Sequence, residues 1–298
     1  MTTDERAGLA YGVTAYVLWG LFPLYFVLFT RSGALEVVAH RAFWSLAFCL
    51  ALLAVTRTFG QLRTALRDRR LVASLAVAGL LIAGNWAIYI YGVISGRTLD
   101  AALGYFINPL AVTALGVFVL KERLRPGQWI ACGFGVAAVA VLVFAYGEFP
   151  IIALSLAFTF GTYSLVKKVA GRSVGPLPGL AIETGAILPL SGGYLVWLAA
   201  TGQASTTMAS GYTALLATTG VVTAVPLLLF AAAARRVPLV VIGMLQYIAP
   251  IGQFIVGWLV FGEPMPAGRW AGFILVWLAV LAFAADAVRQ HRTRRAAR

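Results

Sequence analysis

Ten apolar runs, separated by short polar stretches, divide the chain, near residues 8–29, 36–55, 71–92, 101–120, 129–145, 151–166, 177–200, 212–234, 238–261 and 270–287. A bilayer hydrocarbon core of about 30 Å needs about 20 apolar residues at 1.5 Å per helical residue, so most runs suffice and the fifth and sixth are marginal. Backbone amides in lipid must bond within their own segment, which makes each run a helix. The pattern therefore predicts an all-α membrane protein with ten transmembrane helices.

Charge gives the array an orientation. Nineteen of the 23 Lys and Arg residues fall on alternate connections: Arg6, Arg57, Arg63, Arg67, Arg69, Arg70, Lys121, Arg123, Arg125, Lys167, Lys168, Arg172, Arg235, Arg236 and the tail arginines 289, 292, 294, 295 and 298. The opposite connections keep only Arg31, Arg97 and Arg269, and Arg41 lies inside the second run. Basic loops stay on the cytoplasmic side, which predicts a multi-pass protein of the cell (inner) membrane with both termini inside. Asp4 and Glu5 precede a first run too long for a signal-peptide core, so it is expected to stay attached as a span.

Composition changes the picture little: 61% hydrophobic residues, 11% charged and a mean hydropathy of +0.90 exceed what a soluble core requires. The net charge of +13 raises nucleic acid as a partner, but the basic residues sit in short loops at helix ends, where they orient the protein and touch anionic lipid instead. The expected partners are a small-molecule substrate and the lipid bilayer, with no nucleic acid; a homodimer stays open. Cys49 and Cys132 lie in separate runs without metal-ligand spacing, so no metal and no cofactor is expected.

The chain also matches itself. A shift of 141 residues sets Ile107 on Ile248, Pro109 on Pro250, Gly116 on Gly257, Val119 on Val260, Glu122 on Glu263, Gly127 on Gly268 and Trp129 on Trp270. Without gaps it also pairs Gly20 with Gly161, Leu24 with Leu165, Leu75 with Leu216 and Gly79 with Gly220. The halves are 1–147 and 148–288, followed by a basic cytoplasmic tail, 289–298. Five spans is an odd number, so the second half is inverted, and Glu122 and Glu263 are expected on opposite sides. Inverted repeats recur in secondary transporters, whose two halves exchange equivalent conformations around a midplane site.

Across its whole length the chain resembles the RarD branch of the EamA-type transporters, within the drug/metabolite transporter superfamily. The residues that carry the resemblance are Trp19-Gly20-Leu21-Phe22-Pro23-Leu24-Tyr25, Ala39-His40-Arg41 with Trp44-Ser45, Asn85-Trp86, Gly104-Tyr105-Phe106-Ile107-Asn108-Pro109-Leu110 and Glu122-Arg123-Leu124. Glu183-Thr184, Ala233-Ala234-Arg235-Arg236, Gln246-Tyr247-Ile248-Ala249-Pro250 and Gly262-Glu263-Pro264 complete the set. The resemblance implies two inverted five-helix halves around a central cavity, and export of small organic solutes such as metabolites, amino-acid-like or drug-like molecules. Thr159 and Thr162 stand where more apolar residues are expected.

Polar groups inside the runs are the candidate chemistry. An ionisable side chain at mid-membrane costs roughly 2.5 to 3.5 kcal/mol, so it needs a partner, a wet cavity or a function. Glu183 lies two turns into the seventh run with no basic residue within one turn, which makes it a candidate for proton coupling or substrate contact; a structural pair with another helix is the alternative. Glu36 has the spacing to pair with His40, and the cluster reads first as a structural network at the outer boundary; the alternative is a ligand site in which Arg41 is the cation an anionic substrate would need. Asn85, Asn108 and Gln246 are candidate cavity linings, and Trp86, Tyr89, Tyr105, Tyr163 and Tyr247, with Phe106, offer aromatic faces to an amphipathic or cationic solute. Pro109 and Pro250, at matching places in the fourth and ninth runs, are candidate hinges.

Rival functions find less support. No His-Glu-x-x-His helix is present, the only other histidine is His291 in the tail, and no Gly-rich loop ends in Lys followed by Ser or Thr, so neither an intramembrane enzyme nor a nucleotide-driven pump is expected. A channel or facilitator remains the alternative to a carrier.

Overall fold

The computed structural model of the chain describes residues 3–121, 124, 126–170, 174–207 and 210–296, and among these every regular element is helical. In order they are α1 (Thr3–Gly20), α2 (Phe22–Phe26), α3 (Ala34–Val55), α4 (Phe59–Arg67), α5 (Arg69–Ile94), α6 (Thr98–Leu120) and α7 (Pro126–Val141). Then come α8 (Ile151–Ala170), α9 (Pro176–Ala200), α10 (Ser210–Ala234), α11 (Leu239–Leu245), α12 (Ile248–Ile255) and α13 (Ala267–Ala296). Among the described residues eight spans are long and apolar enough to cross a bilayer, and α1 with the segment Phe22–Phe29 makes a ninth, bent by 43°. A π turn extends α7, so the fifth run reaches 20 residues, Pro126–Ala145, and is not marginal as the sequence suggested. The sixth run stays short: its apolar part is Ile151–Lys167. Helix α4, in a stretch the sequence reading treats as a loop, exposes Arg63 and Arg67 and buries Ala65.

The bend in the first span has a local cause. Pro23 has no N–H to give to the carbonyl four residues back, which is that of Trp19. That carbonyl instead accepts a hydrogen bond from Gln253 Nε2 of α12 at 3.1 Å. The two helices can approach because both present glycine: a Cβ on Gly252 would stand 2.9 Å from Gly20 Cα. In the ninth span the helix is interrupted at Gln246–Tyr247, four residues before Pro250, where a proline ring meets the carbonyl of residue i−4. Pro109, by contrast, lies inside an unbroken α6, so only one of the paired prolines interrupts its helix.

Packing follows a regular scheme. Helix α6 lies on α8 and α1 on α12; α5 on α8 and α1 on α10; α3 on α10 and α5 on α9. Three further pairs, α3 with α9, α6 with α12 and α7 with α13, complete the set of principal contacts. Glycines permit the tightest ones. A Cβ on Gly79 of α5 would sit 2.5 Å from the Glu183 carbonyl oxygen of α9, and one on Gly220 of α10 would sit 2.4 Å from the Trp44 carbonyl of α3.

One end of the bundle is tied by charge. Glu263 accepts from the Thr98 and Leu99 amides at 2.6 and 3.0 Å, which satisfies two orphan donors at the start of α6. Burial raises this carboxyl above the ordinary carboxylate value, and those amides and Arg269 pull it back. Arg269 bonds Asp100 at 2.9 Å, and Arg97 reaches Asp100 at 2.7 Å and Glu148 at 3.4 Å, joining three connections around a cavity of about 400 Å³. Glu122, the repeat partner of Glu263, lies outside the described residues, as do Arg123, Arg125 and Arg172.

Candidate functional site

Arg41 sits seven residues into α3 and is 4% exposed. Its Nε donates to Thr223 Oγ1 of α10 at 2.7 Å. The guanidinium lies over the Trp86 ring of α5 at 3.9 Å, with the Phe26 and Phe22 rings at 5.3 and 5.8 Å. The bend after Gly20 carries those two phenylalanines, both buried, to this place. Tyr105, Tyr89 and Tyr25 lie within electrostatic range of the same cation. Among the described residues no carboxylate pairs with it. Cation–π contact with desolvated rings returns about 2 kcal/mol, less than the roughly 2.5 to 3.5 kcal/mol that a mid-membrane charge costs.

From Arg41 a file of rings crosses the interior. Phe26 meets Tyr89 at 6.0 Å between centroids, Tyr89 meets Tyr105 at 5.7 Å, Tyr105 meets Phe160 at 6.0 Å and Phe160 meets Tyr163 at 5.8 Å. These are edge-to-face or tilted contacts, the arrangement ring quadrupoles favour. Asn85 holds the middle of the file. Its Oδ1 accepts from the Tyr105 hydroxyl at 3.0 Å, and its Nδ2 donates to the Leu156 carbonyl and to Thr159 Oγ1.

The file ends at a second buried charge. Tyr163 donates to Glu183 Oε2 at 3.3 Å, and Lys167, one turn further along α8, forms an ion pair with Glu183 Oε1. Glu183 is 1% exposed and, like Arg41, lies seven residues into its helix. Arg41 and Glu183 thus occupy matching depths at opposite ends of one aromatic line.

The EamA-like transporter family matches residues 6–144 and again 150–285. Protein RarD of Streptomyces exfoliatus is 48% identical over 98% of this chain and 93% of its own length. An uncharacterized transporter of Pseudomonas aeruginosa is 42% identical over 98% and 97%. The chain belongs to the RarD branch of the EamA-like transporter family. It is a membrane transporter of the drug/metabolite superfamily, with multiple helical passes. The fold also resembles that in a protein crystal structure at 20% identity, with a TM-score of 0.60 over 96% of this chain and 99% of the other.

Some of the residues that carry the RarD resemblance meet here: Arg41, Asn85, Trp86, Tyr105 and Glu183 share one continuous structure with Tyr89 and Tyr163. Other candidates do not join it. Glu36 does not pair with His40: its Oε1 accepts from Ser205 N and Oγ at 2.8 and 2.9 Å, while both His40 nitrogens are buried without a partner. The i to i+4 spacing allowed the pair, but Ser205, in the connection before α10, offered two donors to the same carboxylate. Glu183 has the basic partner that its own sequence neighbourhood lacks, because Lys167 reaches it from α8. Tyr247 packs in a separate apolar cluster with Phe106, Phe254 and Phe273, Gln246 is half-buried at the helix break, and Asn108 is buried with its Oδ1 unpartnered. Sequence reasoning missed Lys167, Phe22, Phe26, Phe160 and Thr223. For Phe22 and Phe26 the signal was Pro23, which bends the first span toward α3. Thr159 is accounted for by its bond to Asn85, whereas Thr162 only bonds back to the Phe158 carbonyl.

Proposed function

We propose that the chain is a secondary transporter that moves a small organic solute, by export, through alternating access of two inverted five-helix halves, 1–147 and 148–288. The observation that carries this reading is the exchange symmetry of the packing. Swapping each span with the one five places on turns α6 on α8 into α12 on α1, α5 on α8 into α10 on α1, and α3 on α10 into α9 on α5. The other three principal pairs map onto themselves. Single contacts follow: Gly104 on Ala153 corresponds to Leu245 on Gly12, and Gly79, against α9, to Gly220, against α3. A bundle with interchangeable halves has two equivalent arrangements of its interior, one open to each side.

Inversion fits the ends of α6 as well. Its start touches Glu263, and its last residue lies about 33 Å away along the axis, so Lys121 and Glu263 belong to opposite faces. Asp4 and Arg236 pair at 3.0 Å, which supports a common cytoplasmic side for the N-terminus and the basic loop after α10. The break at Gln246–Tyr247 and the bend at Leu21 are the places where the halves would hinge.

Counterflow in proteoliposomes tests the reading. A carrier loaded with unlabelled solute draws labelled solute inward against its gradient, with a rate that saturates. Flux linear in concentration, without exchange, would favour a channel or facilitator.

A further inference from the structure

We propose that Arg41, in its box of Phe22, Phe26, Trp86 and Thr223, is the anion-recognition point of the transport site, and that the solute is an aromatic or amphipathic carboxylate. The inference rests on the transporter reading and names the class of its substrate. Three observations carry it.

The first is an unmatched charge. Arg41 is only 4% exposed, and its guanidinium meets one hydroxyl and three rings, but no carboxylate among the described residues. Rings and a neutral hydroxyl do not cancel a full charge in a region of low dielectric, whereas a bound anion does. Arginine suits the task because its planar fork accepts a carboxylate in bidentate fashion while its faces stay stacked on aromatic rings.

The second is the comparison with the other half. The 141-residue shift sets Phe22 on Tyr163 and Phe26 on Lys167. Tyr163 and Lys167 hold Glu183; Phe22 and Phe26 hold Arg41. In the second half a lysine on the neighbouring helix neutralises the buried charge, and in the first half an apolar ring stands at that place. The protein balances one member of the pair and leaves the other for a ligand.

The third is the way in. Phe22 and Phe26 stand just beyond the 43° bend of the first span, so movement at Leu21 withdraws two walls of the box while Trp86 and Thr223 stay on α5 and α10. The exposed guanidinium would then face the Phe26–Tyr89–Tyr105 file, which offers ring faces to the apolar body of the solute.

The test uses the purified full chain and three aromatic probes: hippurate, its neutral primary amide of the same size, and the smaller cation benzylammonium. Calorimetric titration of the wild-type protein is expected to give hippurate an affinity about tenfold or more above that of the amide, as a charge-assisted bond predicts. Arg41→Gln should remove that preference, and Arg41→Lys should keep only part of it, weakening hippurate more than the amide. Thermal unfolding without ligand checks that the variants fold; if Arg41→Gln does not, Arg41→Lys alone decides. Equal wild-type affinities for hippurate and the amide, or an unchanged preference in Arg41→Lys, would overturn the inference. Counterflow separates the two claims. Saturable exchange of the amide or benzylammonium but not hippurate, or exchange of none of the three, sinks the inferred solute class and leaves the transporter standing; hippurate flux linear in concentration and without exchange sinks the carrier reading.

Discussion

Lys167 and Glu183 form an ion pair across α8 and α9, with the carboxylate buried and the ammonium partly exposed at the helix end. Removing one member of such a pair leaves a buried charge alone, whereas removing both leaves none. Lys167→Met is therefore expected to destabilise the protein more than the double variant Lys167→Met/Glu183→Gln. The coupling in a thermal-denaturation cycle should be about 1 to 3 kcal/mol. If Glu183 also carries a coupling proton, Glu183→Gln transports with a rate that no longer varies with pH; a variant that keeps the wild-type pH profile would confine Glu183 to holding α8 on α9.

The glycine contacts make a sharper prediction, because what they touch is backbone. Gly79→Ala and Gly220→Ala place a methyl 2.5 and 2.4 Å from the Glu183 and Trp44 carbonyls, well inside normal contact, and those carbonyls cannot rotate away. Each is expected to lower stability by about 1 to 3 kcal/mol, as overpacking does. Gly84→Ala, on the same helix as Gly79 but with no atom within 4 Å of the added carbon, serves as the control and should be neutral or mildly stabilising. Equal unfolding temperatures for Gly79→Ala and Gly84→Ala would contradict the packing described here.

The bond between Gln253 and the Trp19 carbonyl exists because Pro23 cannot use that carbonyl. Gln253→Leu leaves the acceptor unsatisfied in an apolar setting, and the expected loss is about 0.6 kcal/mol, up to about 1.7 kcal/mol, in line with measured interhelical bonds in membranes. Adding Pro23→Ala supplies a local N–H and should recover part of that loss, while straightening the first span and slowing transport. Thermal unfolding of the two variants decides it: a double variant less stable than Gln253→Leu would show that the carbonyl was never the issue.

The all-helical, multi-span character and most of the aromatic file could be read from the chain because each depends on residue type and spacing along one segment. Asn85, Trp86, Tyr89, Tyr105 and Tyr163 stand out as polar or large groups in otherwise aliphatic helices, and they do meet. What could not be read was which face meets which. A helix that is apolar all round carries no stripe to mark its inward side, so the reach of Lys167 to Glu183 and the diversion of Glu36 from His40 to Ser205 depended on interhelical rotation alone. The bend at Leu21 was legible in principle from Pro23. Of the paired prolines in the fourth and ninth spans only Pro250 follows a break in its helix, so the pairing alone did not mark the hinge.

Topology provides the last prediction. Lys121 follows the end of α6, and Ala267 opens α13 close to Glu263, which holds the other end of α6. Both positions are exposed, so single cysteines there are accessible to a membrane-impermeant thiol reagent once Cys49 and Cys132 have been replaced by serine. The orientation rule places residue 121 among the basic cytoplasmic connections and residue 267 on the sparse side. In intact cells the reagent should label Ala267→Cys at once and Lys121→Cys only after the membrane is opened. The result bears on mechanism because the equivalence of the halves requires inversion: residues 121 and 262 are repeat partners, and a common side for the two labels would make the halves parallel. Parallel halves do not present their exchanged interiors to opposite compartments through the same pair of hinges, and alternating access as described here would fail with them.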